Sequence, residues 1–317
     1  MPPPPGFSAP EVLLRGIVGE IKHPLYCVGF AYMVWPLYAE CVRWWRQHGL
    51  SERAFLITGT MLIHALCYVC IGGFFLLCDR FACLQQYKMH RTQAMAPAPG
   101  LFSRTLAEAA VLQLVVGPIV LYGLFDSFQY FGSPPIDTAL PGFWELYRMF
   151  FVANLINGWG FYFSHRLLHH KALYPHIHKQ HHTYKGTISI AAEYAHPVEQ
   201  LISNQLPTVG GCLLGGFPFF VWFVWLSIRL EETYEGHSGY SFHGSFAHKW
   251  LGLTHGSHAC YHDFHHTKNR GNFGGPEYLD YFFGTMQPWM DIGGAEGYLA
   301  LKKKAGAGAG AGLAKRR

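Results

Sequence analysis

Charged residues are scarce in this chain of 317 residues: Asp, Glu, Lys and Arg make up 14% of it, against about 25% in a typical soluble domain. Hydrophobic residues account for 50% and aromatic residues for 16%. The shortage of charge excludes a disordered chain, which combines high charge with low hydrophobicity. It also argues against an ordinary water-soluble protein and indicates a membrane protein. The sequence shows no clustered basic face of the kind that binds nucleic acid. The net charge of +5 instead suits loops at an anionic membrane surface.

Two further features of exported proteins are missing. The chain opens with Pro2 to Pro5 and lacks the basic-then-apolar pattern of a cleavable signal peptide. Its eight cysteines are irregularly placed in a long chain, which argues against a secreted disulfide framework. Cys67 and Cys70 form a CxxC motif inside an apolar stretch, and we interpret them as packed hydrophobic residues.

Histidine, in contrast, is abundant. The chain has 20 histidines, one more than its 19 Asp and Glu residues together. Sixteen of the 20 lie between His165 and His266. A hydrophobic chain with so much imidazole in one region indicates a function beyond spanning a membrane.

Four apolar stretches precede the histidine-rich region, at residues 24–42, 54–78, 109–125 and 142–163. Each is close to the roughly 20 residues that a membrane-spanning helix needs. A fifth apolar region, residues 201–230, is interrupted by proline and glycine and is too short for two crossings, which need about 40 residues. Histidine-rich segments flank it, so we expect a re-entrant hairpin of two short helices with both ends on one side of the membrane.

Loop charges predict the orientation of these spans. The loop 79–104 contains Arg80, Lys88, Arg91 and Arg104, whereas residues 126–141 contain no Lys or Arg. Because positively charged loops stay in the cytoplasm, we expect the N-terminus and everything after residue 163 to be cytoplasmic.

These patterns predict an all-α integral membrane protein with about four transmembrane helices and a re-entrant hairpin. We divide the chain into an N-terminal segment (1–23), transmembrane helices (24–163), a catalytic region that includes the hairpin (164–290) and a basic low-complexity tail (291–317). The Ala-Gly alternation at residues 305–312 predicts disorder in that tail.

The histidines fall into spaced motifs. His165 and His169 form HxxxH, and two HxxHH motifs follow, at His178, His181, His182 and at His262, His265, His266. On a helix, residues at i, i+3 and i+4 share one face, so each motif can direct two or three imidazoles at one point. Imidazole suits zinc, copper, iron and nickel, and eight ligands exceed what one tetrahedral site uses. We therefore predict two metals, and a nitrogen-rich dinuclear site beside a membrane indicates oxygen activation for attack on a lipid C–H bond.

The order HxxxH, HxxHH, HxxHH around membrane hairpins resembles the fatty acid hydroxylase/sterol desaturase superfamily. Within it, AAEYAHPVE (191–199), EETYEGHSGYSF (231–242), HDFHHTKNRGNFG (262–274) and LDYFFGT (279–285) are similar to segments of the C4-methylsterol monooxygenases. The resemblance covers residues 154–285.

The resemblance implies four transmembrane helices in the endoplasmic reticulum membrane with a cytoplasmic helical cap, which holds a His-rich dinuclear metal site of two Fe ions. It also implies that the protein uses O2 and receives electrons from NAD(P)H through cytochrome b5 or its reductase. The implied substrate is a sterol or another lipid. The implied metal ligands are His165, His169, His178, His181, His182, His237, His262, His265 and His266. His196 is implied as a ligand or as a residue behind the ligands.

The predicted activity is therefore sterol hydroxylation by a membrane monooxygenase, most simply at a C4 methyl group in sterol biosynthesis. Within the superfamily, a sphingoid-base C4 hydroxylase and a sterol C5 desaturase are alternatives. A His-rich membrane metal transporter is an alternative of another class. The sequence departs from the family pattern after Phe242, and His243, His248, His255 and His258 are additional to it; we interpret them as surface residues or residues behind the ligands.

Overall fold

The computed structural model of the protein describes residues 6–89, 97–251 and 256–314. Within these ranges the protein is helical and contains no β-strand, which confirms the predicted helical class. A single bridge joins Lys88 and Tyr240.

In the part of the chain that the structure describes, three helices are long and apolar enough to cross a membrane. They are α1 (Ala9–Gln47), α2 (Glu52–Arg80) and α3 (Leu101–Tyr130), and they contain the predicted spans 24–42, 54–78 and 109–125. Short π-helical turns interrupt α2 at Tyr68–Gly72 and α3 at Leu112–Val116.

The start of α1 differs from the prediction of a separate segment over residues 1–23, because the helix begins at Ala9. Ser8 precedes it as the N-cap, and its backbone N–H donates to Glu11 Oε2 at 3.0 Å. This capping box, with Pro10 in the first turn, satisfies N–H groups that a helix start leaves unpaired. This candidate membrane-spanning helix therefore includes residues 9–23 of that segment.

The fourth predicted span, 142–163, forms α4 (Phe143–Leu168). Among the described residues it is not one of the helices apolar enough to qualify as a span. Its polar side chains bond to neighbouring helices instead: Asn154 Nδ2 donates to Glu20 Oε2 at 2.5 Å, and Asn157 Nδ2 donates to Thr208 Oγ1 at 3.2 Å. A crossing by α4 remains a prediction.

The apolar region 201–230 folds as two helices, α5 (Leu206–Leu214) and α6 (Phe219–Gly236). Residues 215–218 join them, where glycine and proline interrupt the helix. Nearly every side chain between Phe219 and Ile228 is buried, so α6 forms the centre of the bundle.

Four further helices follow in the described residues after 256: α7 (His258–Lys268), which carries the second HxxHH motif, α8 (Glu277–Phe282), α9 (Gln287–Asp291) and α10 (Gly294–Ala314). The tail is therefore helical through Ala314, contrary to the predicted disorder. The first half of α10 makes packing contacts that the amino-acid composition does not indicate. The ring of Tyr298 packs edge-on against the ring of Phe264, and Lys302 lies against Asp263.

Candidate metal centre

All nine histidines predicted as ligands meet at one place. His165 and His169 lie at the end of α4, and His237 follows the last residue of α6. His178, His181 and His182 occupy turns that end in the 3-10 helix His181–Thr183, and His262, His265 and His266 lie on α7. Eight of the nine side chains are buried, and His169 is half-buried.

The nine form two groups within which one ring nitrogen of each residue lies within 4.8 Å of all the others. We call them the five-histidine group (His165, His169, His178, His182, His265) and the four-histidine group (His181, His237, His262, His266). The groups are neighbours, since the rings of His182 and His266 are 4.6 Å apart.

Each HxxHH motif divides its histidines between the two groups, whereas the spacing predicted that each would aim at one point. On α7, His262 and His266 belong to the four-histidine group and His265 to the other. Residues at i+3 and i+4 lie on either side of residue i, so one helix can serve two adjacent sites.

The Nε2 atoms point at one another. In the five-histidine group, His165 and His178 have Nε2 atoms 2.9 Å apart, and His182 and His265 have theirs 3.1 Å apart. In the four-histidine group, His237 Nε2 lies 2.8 Å from His262 Nε2 and 3.3 Å from His181 Nε2.

Main-chain carbonyls hold the other side of five of these rings. Nδ1 of His237 lies 2.8 Å from Thr233 O, and Nδ1 of His265 lies 2.7 Å from Gly271 O. In the same way, Nδ1 of His165, His181 and His266 contacts the carbonyl oxygen of Phe273, Tyr194 and Tyr184, respectively. A carbonyl only accepts, so Nδ1 carries the proton in each ring. In a neutral imidazole Nε2 is then a bare acceptor, which is how metal-binding histidines are oriented.

Burial keeps these rings neutral. It lowers the pKa of His178, His181 and His265 to about 3 and that of His237 to about 4. Unprotonated nitrogens at such short separations repel one another unless a cation lies between them. The donor set therefore fits metal ions, and because it consists of imidazole without a carboxylate in either group, it fits the metals that prefer nitrogen.

The loop after α7 positions two of the rings. Gly271 and Phe273 supply the carbonyls for His265 and His165. Asp280, from the LDYFFGT segment, accepts from Phe273 N–H at 3.0 Å and from Thr285 Oγ1 at 2.6 Å. The LDYFFGT segment thus has a structural role here, because the Asp280 carboxylate fixes the loop that orients the rings.

Asp263 lies within the second HxxHH motif but faces away from the metal groups. Its Oδ1 accepts from Thr187 Oγ1 at 3.2 Å, and its Oδ2 accepts from Tyr298 at 2.7 Å and lies 2.8 Å from Lys302 Nζ. The carboxylate therefore attaches α7 to α10.

The remaining predicted site residues lie outside both groups. His196 is the N-cap of the helical turn Pro197–Glu199, and its Nδ1 accepts from Val198 N–H at 3.2 Å. His243, His248 and His258 line the adjacent cavity, and His255 lies outside the described residues. Glu199, a carboxylate near the histidine motifs in the sequence, lies 2.9 Å from His178 Nδ1, and burial raises the pKa of its carboxyl to about 7.

A cavity of about 930 Å³ opens beside the two groups. Its size is at the upper end of ordinary ligand pockets, which measure about 300–1,000 Å³. Histidines of both groups line one part. Apolar side chains line another part, including Leu112, Leu121, Leu124, Val209, Trp222 and Leu226, and charged side chains, including Glu20, Arg229 and Glu232, line the cavity as well. The cavity thus offers space for a largely apolar molecule next to the imidazoles.

Comparison with known proteins gives consistent results. The fatty acid hydroxylase family model matches residues 150–285. A Dictyostelium discoideum protein provisionally named a methylsterol monooxygenase is 35% identical over 250 residues, 78% of this chain and 89% of the relative. Methylsterol monooxygenase 2-2 of Arabidopsis thaliana is 32% identical over 72% of this chain and 84% of its own length.

A relative with another name is equally similar. The very-long-chain aldehyde decarbonylase GL1-11 of Oryza sativa subsp. indica is 32% identical over 237 residues, 73% of this chain and 86% of that protein. No solved structure gives a significant match.

Proposed function

The chain belongs to the fatty acid hydroxylase family, and on this premise we propose that it oxidises a C4 methyl group of a sterol in a membrane. The relatives named methylsterol monooxygenase support the substrate class, since they match most of this chain. The observation that carries the proposal is the arrangement of two histidine groups beside a largely apolar cavity.

The family consists of His-rich, iron-dependent oxygenases. We propose that the five-histidine and four-histidine groups each hold one iron ion. When bound, the two ions supply O2 activation and oxygen transfer to a C–H bond. The balanced reaction is R–CH3 + O2 + 2 electrons + 2 H⁺ → R–CH2OH + H2O, and repeated rounds take the methyl group to the acid.

The protein residues have separate tasks in this reaction. The backbone carbonyls of Tyr194, Thr233 and Gly271 hold the imidazole rings in orientation. The apolar wall binds the sterol and excludes water, which strengthens electrostatic interactions inside the site. The sequence has no nucleotide-binding or haem-binding motif of its own, so we propose that electrons come from NAD(P)H through cytochrome b5 or its reductase.

The proposed setting is the endoplasmic reticulum membrane, with α1 to α4 crossing it, α5 and α6 forming a re-entrant hairpin, and the histidine groups on the cytoplasmic side. The Lys and Arg residues of the loop 79–104 support this orientation. Arg46 and Arg53 lie at the opposite end of the spans, and each is paired with an acidic residue. Arg46 Nη2 lies 3.0 Å from Asp137 Oδ1, and Arg53 Nη2 lies 2.6 Å from Asp126 Oδ1.

The test is to incubate the purified protein with a 4-methylsterol, O2, NADH, cytochrome b5 and its reductase. We expect 4-hydroxymethyl and 4-carboxy products, and loss of both in His265→Ala. Parallel incubations contain a long-chain aldehyde, because of the rice relative, and a sphingoid base. Conversion of either of these without sterol oxidation contradicts the proposal, as does introduction of a double bond into the sterol ring.

A further inference from the structure

Gln113 is an unpaired polar side chain in the wall of the cavity. It lies in the π-helical turn Leu112–Val116 of α3, lines the cavity and is 8% exposed. Its Nε2 has no hydrogen-bond partner among the residues that the structure describes. Burying an amide N–H without a partner is unfavourable, so the position calls for an acceptor that occupies the cavity.

The surroundings of Gln113 on α3 are apolar. Leu112, Leu121 and Leu124 line the cavity on the same helix. A polar side chain within a membrane-spanning helix usually faces a protein interior and marks a functional position, and π turns are frequent at such positions. Gln113 has both features.

Gln113 shares the cavity with the metal groups, because His181 and His237 line it too. Elsewhere on α3, Glu108 Oε2 accepts a hydrogen bond from Gln180 Nε2 at 2.7 Å, and Gln180 immediately precedes His181. A molecule in the cavity can therefore contact the Gln113 amide while it lies beside the four-histidine group.

We propose that the Gln113 amide donates a hydrogen bond to the hydroxyl group of the bound sterol and so positions the methyl group that is oxidised. This inference rests on the proposed function. In a 4-methylsterol the hydroxyl is on C3, the carbon next to C4. Anchoring that oxygen therefore fixes where the C4 methyl group lies relative to the imidazoles, and Gln113 is a positioning residue.

The experiment measures binding and not turnover. The metal-loaded protein, kept without an electron donor so that it cannot turn over, is placed in phosphatidylcholine nanodiscs. It is titrated with a 3-hydroxy-4-methylsterol and with its 3-deoxy analogue, using tryptophan fluorescence because Trp222 lines the cavity. We expect wild-type protein to bind the hydroxysterol about 3- to 10-fold more tightly, the effect of one net hydrogen bond.

In Gln113→Leu we expect that preference to fall to about one, with unchanged binding of the deoxysterol. Without ligand, Gln113→Leu should unfold at a higher temperature than wild type, because it removes an unpaired buried amide. If Gln113 instead had a purely structural role, Gln113→Leu would unfold at a lower temperature than wild type. Gln129→Leu is the control, since it makes the same substitution at an exposed position of α3, and Gln113→Met is a second variant in case the branched side chain does not fit.

The outcomes separate this inference from the proposed function. Equal binding of the two sterols by wild type, or an unchanged preference in Gln113→Leu and Gln113→Met, overturns the role of Gln113 and leaves sterol oxidation standing. Failure of wild type to bind either sterol overturns both.

Discussion

The Nε2 atoms of His181 and His237 lie 3.3 Å apart, and each ring directs its Nδ1 to a main-chain carbonyl. His181 uses the carbonyl of Tyr194, and His237 uses that of Thr233. Because both Nδ1 atoms donate, neither facing nitrogen carries a proton in the neutral rings. Two lone pairs therefore face each other inside a buried site, an arrangement that a bound cation stabilises.

The role of His196 can be decided by separating capping from metal binding. We expect His196→Ala to retain the full metal content, because His196 lies outside both histidine groups. Losing the N-cap should destabilise the protein by about 1 kcal/mol. Metal analysis and thermal unfolding check this, with His196→Asn as a control that restores the cap. A fall in metal content in both variants contradicts the placement.

Gly271 combines a left-handed backbone with close packing. Its φ is +62°, and a Cβ atom there would lie 2.0 Å from Thr285 O. We expect Gly271→Ala to displace the loop that orients His265 and thus to lower metal content and unfolding temperature. Gly284→Ala is the matched control, because its φ of +68° is similar but its added Cβ meets nothing within 4 Å. Gly284→Ala should lower the free energy of unfolding by about 1 kcal/mol, which is the cost of placing an alanine in the left-handed region. Equal effects of the two substitutions would mean that the contact with Thr285 is unimportant.

The buried pair of Lys302 and Asp263 attaches the tail helix to α7. Their side chains are 7% and 1% exposed. Removing one partner of such a pair leaves a buried charge and typically costs about 3–5 kcal/mol. We therefore expect Lys302→Met to unfold more readily in denaturant titrations, while Lys303→Met, at an exposed position, changes little. If both variants match wild type, α10 does not stabilise the histidine helix.

The parts of the fold that were predictable are those set by local patterns. The run 54–78 is apolar and is interrupted only by His64, so the span that contains it is predictable. The histidine spacing indicates eight of the nine residues that meet in the two groups, and the resemblance of the segment 231–242 adds His237. Membership of the groups was not predictable, because the adjacent His181 and His182 enter different groups. That division depends on the turns before residue 183 and on the packing of α7.

Other features of the site depend on tertiary contacts that leave no recognisable motif in the sequence. The carbonyls of Thr233, Gly271 and Phe273 orient the rings, yet a carbonyl has no signature in a sequence. The Ala-Gly composition of the tail conceals the contacts of Tyr298 and Lys302 with Asp263. Gln113 looks like an ordinary interruption of a span, and only its position in the cavity wall shows that its amide is unpaired.

The most direct test of the account is the number of iron ions bound per chain after reconstitution with Fe(II), measured by elemental mass spectrometry. We expect about two in wild type and about one when His237 and His262 are both changed to Ala, since the five-histidine group remains complete. His176→Ala, at an exposed position outside both groups, should still bind two. One ion or none in wild type, or two in the double variant, would contradict the account of two histidine-held metal sites.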